Sequence, residues 1–195
     1  MVKGKKNIYR AVLLIVLFLC LVFLWLQDTI FTGHASIEET FSNVSVTKSL
    51  AILFSSNLSA GIQFGDVAIL PSTNINATQN YGDPDNGTEY YINVSTDGNT
   101  AVDFCIKAGG DLTSLASDVL GVGNETYSNA TLTNSSVPEL SSEVALSLSY
   151  VKSGYNIAVG SVDYYRFWLD VPTAQPSGDY NNTISFKGIQ TGVGC

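Results

Sequence analysis

The sequence predicts an all-β fold, an antiparallel sandwich, preceded by one N-terminal apolar helix. Three observations carry that prediction. Short runs of apolar residues alternate with polar ones at period two. Clusters of Gly, Pro, Asn and Asp punctuate these runs, as turns require. Residues 11–26 form an uncharged apolar stretch without a helix breaker, behind a basic tip. The resulting organisation is a basic tip at 1–10, a transmembrane or signal segment at 11–26, a stalk or first strand at 27–43, and an extracellular β domain at 44–195.

Strands are expected at 44–54 and 62–70, the second stopped by Pro71. Residues 72–88, rich in Asn, Asp and Gly, read as a long loop. Runs at 90–95 and 101–107 flank Asp97-Gly98-Asn99, and an Asp-Gly pair accepts the positive φ angles of a tight hairpin turn. Tyr90, Ile92 and Val94 then face the core while Asn93 faces out. Val102, Phe104 and Ile106 face in, leaving Asp103, Cys105 and Lys107 on the other side. Residues 111–120 read as a short helix capped by Asp111, with Leu112, Leu115 and Val119 on one side. After a polar excursion at 124–139, strands return at 143–151, 156–158, 161–171 and 179–189. Tyr165, Phe167, Leu169 and Val171 share one face, and Tyr180, Ile184 and Phe186 answer it across the turn. No long helices recur between strands, which disfavours a βαβ architecture.

Charge places the chain across a boundary. Lys3, Lys5, Lys6 and Arg10 precede the apolar stretch, and all seventeen acidic residues follow it, starting at Asp28. A basic start retained in the cytoplasm and an acidic bulk exported beyond it is the expected topology. At 1.5 Å per residue the stretch rises about 24 Å, short of a hydrocarbon core of roughly 30 Å, so Ile8, Tyr9, Ile30 and Phe31 would have to extend it. Gly33-His34-Ala35 also offers small residues around a cleavage site after Ala35. A retained anchor and a cleaved signal both fit. Lys3-Gly4 gives a weaker match to prepilin-type processing, because Lys5, Lys6, Asn7 and Arg10 interrupt the apolar segment. An acidic exported domain excludes nucleic acid as a partner, since phosphates demand Lys and Arg.

Nine Asn-x-Ser/Thr acceptors mark a glycoprotein surface: Asn43, Asn57, Asn76, Asn86, Asn93, Asn124, Asn129, Asn134 and Asn181. Cys105 and Cys195 are the two cysteines beyond the apolar segment. An oxidising exterior permits them to pair within the chain, with pairing between chains as the alternative. Cys20 is a small apolar filler in the apolar stretch.

The segment Trp168-Leu169-Asp170-Val171-Pro172, followed by Ala174-Gln175-Pro176-Ser177-Gly178-Asp179-Tyr180 and Thr183-Ile184-Ser185-Phe186, resembles the closing strand–turn–strand of immunoglobulin-like domains in microbial, especially archaeal, cell-surface proteins. The resemblance implies an immunoglobulin-like sandwich used as an envelope, adhesin or filament module. It assigns no binding residues. The basic tip, apolar helix and small sandwich also look like some archaeal filament subunits that pair by strand donation, with residues 43–54 as the donor strand.

The chemistry-bearing residues are sparse. The single histidine, His34, lies beside the apolar segment, so a Ser–His–Asp set or a His-based zinc site is not expected. Asp83, Asp85 and Glu89, in a turn with Gly87, are candidate oxygen ligands for calcium, without the spacing of an EF-hand. Tyr164, Arg166 and Trp168 point opposite to the apolar face of their strand. They offer a binding or interface patch, or else are covered by another element. The function expected from these features is a non-enzymatic cell-envelope domain with a structural or assembly role, membrane-anchored or released at the cell surface. The alternatives are a filament subunit assembling by strand donation and a glycan- or protein-binding module; a secreted hydrolase ranks last.

Overall fold

The computed structural model describes residues 3–27 and 43–195. The chain divides into two units, Met1–Ser45 and Val46–Cys195. In the first, helix α1 spans Lys3–Gln27. Its side chains from Tyr9 to Leu24 are exposed, and they are all apolar from Ala11 onward. That described apolar length rises about 21 Å, and among the described residues no helix is long and apolar enough to cross a membrane. The stalk expected at 27–43 lies almost wholly outside the described residues.

The second unit is built from antiparallel strands in several sheets, an arrangement compatible with a β-sandwich. Its strands are β1 (Ile52–Phe54), β2 (Ser72–Asn76), β3 (Tyr91–Val94), β4 (Val102–Ala108), β5 (Leu112–Thr113), β6 (Val119–Leu120), β7 (Glu125–Ala130), β8 (Val144–Ala145), β9 (Val151–Ile157), β10 (Val162–Val171) and β11 (Ile184–Gln190). A short helix, α2 (Ser56–Ala60), follows β1, and the Ser55 side chain accepts a hydrogen bond from the Leu58 amide at its start. The larger sheet is six-stranded, in the order β1-β3-β10-β7-β8, with β2 also paired to β10. β10 is its axis. β3 pairs with Val162–Tyr164 and β2 with Trp168–Val171, while β7 runs along the other side of β10. The second sheet has the order β11-β4-β9, and β5 with β6 forms a two-stranded ribbon.

The core lies between the two larger sheets. Tyr90, Ile92 and Val94 meet Val102, Phe104 and Ile106, as period-two alternation requires, and all six are fully buried. Tyr165 of β10 crosses the layer: its ring lies 5.3 Å from that of Phe186 in β11, and its hydroxyl is 2.9 Å from Ser153 Oγ in β9. Tyr165 therefore does meet Phe186, but between the two packed sheets, not along a β10–β11 hairpin. β11 pairs with β4 instead.

Other local expectations give way to tertiary structure. The Asp97-Gly98 turn joins β3 to β4 in different sheets. Asn99 uses its amide to hold Thr47 and Ser49, and the chain arches across the layer without closing a hairpin. The helix expected at 111–120 is the β5–β6 ribbon, with Leu112 opposite Leu120. Leu115, meant for the buried side of a helix, is 98% exposed at its tip. Asp111 caps no helix; it accepts a hydrogen bond from the Val122 amide at 2.7 Å. The expected loop at 72–88 contains β2, the run 44–54 is paired only over β1, and 62–70 is an extended strap outside any sheet.

β4 is buried on both faces because the C-terminal tail crosses its outer side. Cys195 is joined to Cys105, and Gly192 donates its amide to Asp103. The bond closes a loop with a sequence separation of 90. In the chain-entropy account that is worth about 4.6 kcal/mol. Replacing both Cys105 and Cys195 by Ala is expected to lower unfolding stability by an amount of this order, measured by chemical denaturation. Non-reducing peptide mapping should recover the 105–195 pair; free, alkylatable thiols at both positions would refute it.

Candidate functional site

The segment after α2 has no strand to join. Residues 61–70 cross the open side of the sandwich as a strap, and within 62–70 the main chain makes a single main-chain hydrogen bond, from Thr78 to the Gln63 carbonyl. Ile62, Phe64, Val67 and Leu70 turn their side chains inward. Beneath the strap is a cleft of about 1090 Å³. Leu112 and Leu120 of the β5–β6 ribbon, with Leu169 and Val171 at the end of β10, form its apolar floor. Ile184 and Phe186 bring the start of β11 to its side. Among the described residues β11 is an edge strand, paired only with β4, and no main-chain hydrogen bond links its outer side to the strap. An unpaired strand edge is a template for another strand.

One ionisable group sits among the leucines. Glu125, at the start of β7 and opposite Leu169, is 4% exposed. Burial raises its pKa, and among the described residues the only side chain donating to it is Asn182 through Nδ2. The other acids lining the cleft, Asp66 and Asp179, are exposed, and no Lys or Arg lines it. Sequence reasoning missed this place entirely. Glu125 stands beside the acceptor Asn124 in an apparently polar stretch, and only pairing with Leu169 places it in an apolar cleft.

The residues singled out from sequence are distributed elsewhere. Arg166 and Trp168 are 1% exposed, so they form no surface patch. Trp168 donates its indole N–H to Asn76 Oδ1 at 2.9 Å. Arg166 donates to four main-chain carbonyls, those of Asn80, Asn86, Asn134 and Pro138, and its guanidinium lies 4.1 Å from the Tyr81 ring centre. It thereby fastens loops 77–90 and 131–142 over the outer face of β10. Burial lowers its pKa, offset by Tyr81 and Asp83. Tyr164 alone of the three remains half-buried, packed 5.7 Å from Tyr91.

Asp83, Asp85 and Glu89 do not converge. Asp83 Oδ1 accepts the amides of Asp85 and Gly87, and Glu89 accepts from Asn57. Among the described residues no group of three or more His, Cys, Asp or Glu is placed to hold a metal ion. Asp83 is thus engaged by the amides of its own turn and Glu89 by the Asn57 side chain. Of the glycan acceptors, Asn43, Asn76, Asn86, Asn134 and Asn181 are exposed. Asn57, Asn93, Asn124 and Asn129 are half-buried, and Asn129 donates to both carboxylate oxygens of Asp163 at 3.1 Å. Asn93, expected to face out, has its side-chain oxygen buried without a partner.

Comparison with protein-family models, with curated proteins and with solved structures finds no match to this chain.

Two buried aspartates oppose one another in their response to pH. For Asp103, burial would raise the pKa. The Lys152 ammonium at 2.8 Å and the amides of Asn156 and Gly192 override it and bring the pKa to about 2. Asp163 has no cation, and burial raises its pKa to about 6 against the hydrogen bonds from Tyr165 and Asn129. With an unfolded value of 3.8, Asp103 stabilises the fold above that pH and loses its contribution as pH falls through about 2. Asp163 contributes fully below 3.8 and loses its contribution as pH rises through about 6. These two groups together favour the folded state most near pH 4, and Asp163 withdraws about 3 kcal/mol toward neutrality, with Glu125 acting in the same direction. Asp163→Asn should flatten that limb in denaturation curves between pH 4 and 7. A limb unchanged in the variant would remove Asp163 as its source. Separately, Arg166→Met should cost at least about 3 kcal/mol, because it strands buried carbonyls, with loops 77–90 and 131–142 losing hydrogen-exchange protection first.

Proposed function

We propose that this chain is a non-enzymatic cell-envelope domain with a structural, assembling role. In this reading the domain is an immunoglobulin-like sandwich, carried to the cell surface by its N-terminal apolar helix and decorated at exposed Asn residues. The observation that carries the assembly role is the free outer edge of β11 beside an apolar cleft. Natural sheets usually blunt such an edge with charge, proline or a covering element. Here the edge has Lys187 alone, and the neighbouring strap offers almost no main-chain pairing. β-augmentation uses main-chain hydrogen bonds for affinity and side-chain pockets for specificity, and both parts are present. The asymmetry of charge about the apolar stretch supports the surface location. The rival reading, a glycan-binding module, loses its motive with the burial of Trp168.

Fractionating cells that express the full chain tests both halves of the proposal. The expected outcome is recovery with the envelope or as released assemblies visible by electron microscopy. Recovery mainly in the cytosol would sink the location. A monodisperse monomer at high concentration would overturn the assembling role.

A further inference from the structure

The cleft and the segment before β1 are complementary. Residues 44–50 read Val-Ser-Val-Thr-Lys-Ser-Leu, so Val44, Val46, Lys48 and Leu50 alternate onto one side of an extended chain. Val44 and Val46 are 83% and 77% exposed. Lys48 is exposed and forms no ion pair; the described residues contain one salt bridge, Lys152 to Asp103. The cleft presents the matching surface: an apolar floor, a buried carboxylate at Glu125 with no cation, and an acidic rim at Asp66 and Asp179. A carboxylate buried without a cation is costly, and an incoming ammonium relieves that cost.

The geometry excludes closure within one chain. β1 runs toward the cleft, since Phe54 lines it, while the preceding residues lead away past the turn at Asn99. That turn follows β3, beside Val162 at the start of β10, whereas Leu169 and Val171 at the far end of β10 floor the cleft. At about 3.3 Å per strand residue the two places are roughly 25 Å apart. Residues 46–48 cannot span this from their attachment to Asn99, because extended chain covers at most about 3.6 Å per residue. Residues 46–50 and the cleft thus occupy opposite ends of the second unit, the condition for an open head-to-tail series.

Resting on the assembly reading above, we infer that residues 44–50 of a second copy enter the cleft beside β11, with Lys48 paired to Glu125. The valines and Leu50 fill the leucine-lined floor, and the strand backbone meets the unpaired edge of β11. Lys48 sets the register, because a shift by one residue turns the ammonium away from Glu125.

Charge exchange in the full-length exported chain tests the pairing, read by sedimentation of assemblies and by the melting temperature of the dissociated domain. Lys48→Glu should raise the concentration needed for assembly at least about tenfold without altering the melt, and Lys48→Glu with Glu125→Lys should restore it. Glu125→Gln keeps the shape and the bond to Asn182, and serves where the Lys variant does not fold; it should weaken assembly while leaving a folded monomer. If wild type assembles and both Lys48→Glu and Glu125→Gln assemble equally well, the Lys48–Glu125 pairing is overturned while the assembly reading stands. If wild type itself stays monomeric at high concentration, the assembly reading falls and the pairing falls with it.

Discussion

The fold depends on the burial of one cation. Arg166 lies at the centre of the longest strand, on the face turned away from the core, and no carboxylate is bonded to it. A guanidinium in such a place is tolerable only if nearly every donor is satisfied. Four carbonyls from two loops do this, with the Tyr81 ring across its face. The requirement runs both ways. Loop 77–90 is also tied to β10 through Asn80 and Thr88, and the guanidinium joins it to loop 131–142 over the same strand. β10 is thereby covered on both faces, and the six-stranded sheet gains a second, polar layer.

That covering has a consequence for the opposite edge of the molecule. The six-stranded sheet has its outer face closed by loops, whereas among the described residues the three-stranded sheet ends at β11 with nothing paired beyond it. The mismatch in sheet width leaves a gap, and the strap at 61–70 bridges it with side chains, not with a main-chain ladder. An apolar cleft with a buried glutamate at its floor follows from this arithmetic of strands. The disulfide tail secures the outer side of β4 but stops short of β11's free edge, so it rigidifies the sheet without closing it.

The buried carboxylates show how identical chemistry is set by neighbours. Asp103 receives an ammonium and two amides, and remains a charged anchor between β4, β9 and the tail. Asp163 receives the Asn129 amide and the Tyr165 hydroxyl, in a place where Gly154 has no side chain to displace it. Glu125 receives one amide and faces the cleft. The first is satisfied within the chain, while burial raises the pKa of the other two.

The sequence by itself determined the class of fold, the apolar N-terminal helix and the inward residues of β3, β4 and β10. These follow from period-two alternation and local composition; the two cysteines beyond the apolar stretch allowed pairing within or between chains, and only the folded tail joined Cys195 to Cys105. Which strands pair was decided only by tertiary structure. Asp97-Gly98 is a sound local hairpin signal, yet Asn99 binds the segment before β1 and sends β4 to the other sheet. Residues 111–120 have helical spacing, yet Leu112 and Leu120 gain more from meeting one another over the cleft, and Leu115 is left in solvent. Trp168 and Arg166 have the outward phase of an exposed patch, but phase says only which face a side chain takes. Whether that face is wet depends on loops distant in sequence, and the unmet hydrogen-bond donors of a guanidinium are what draw those loops across it.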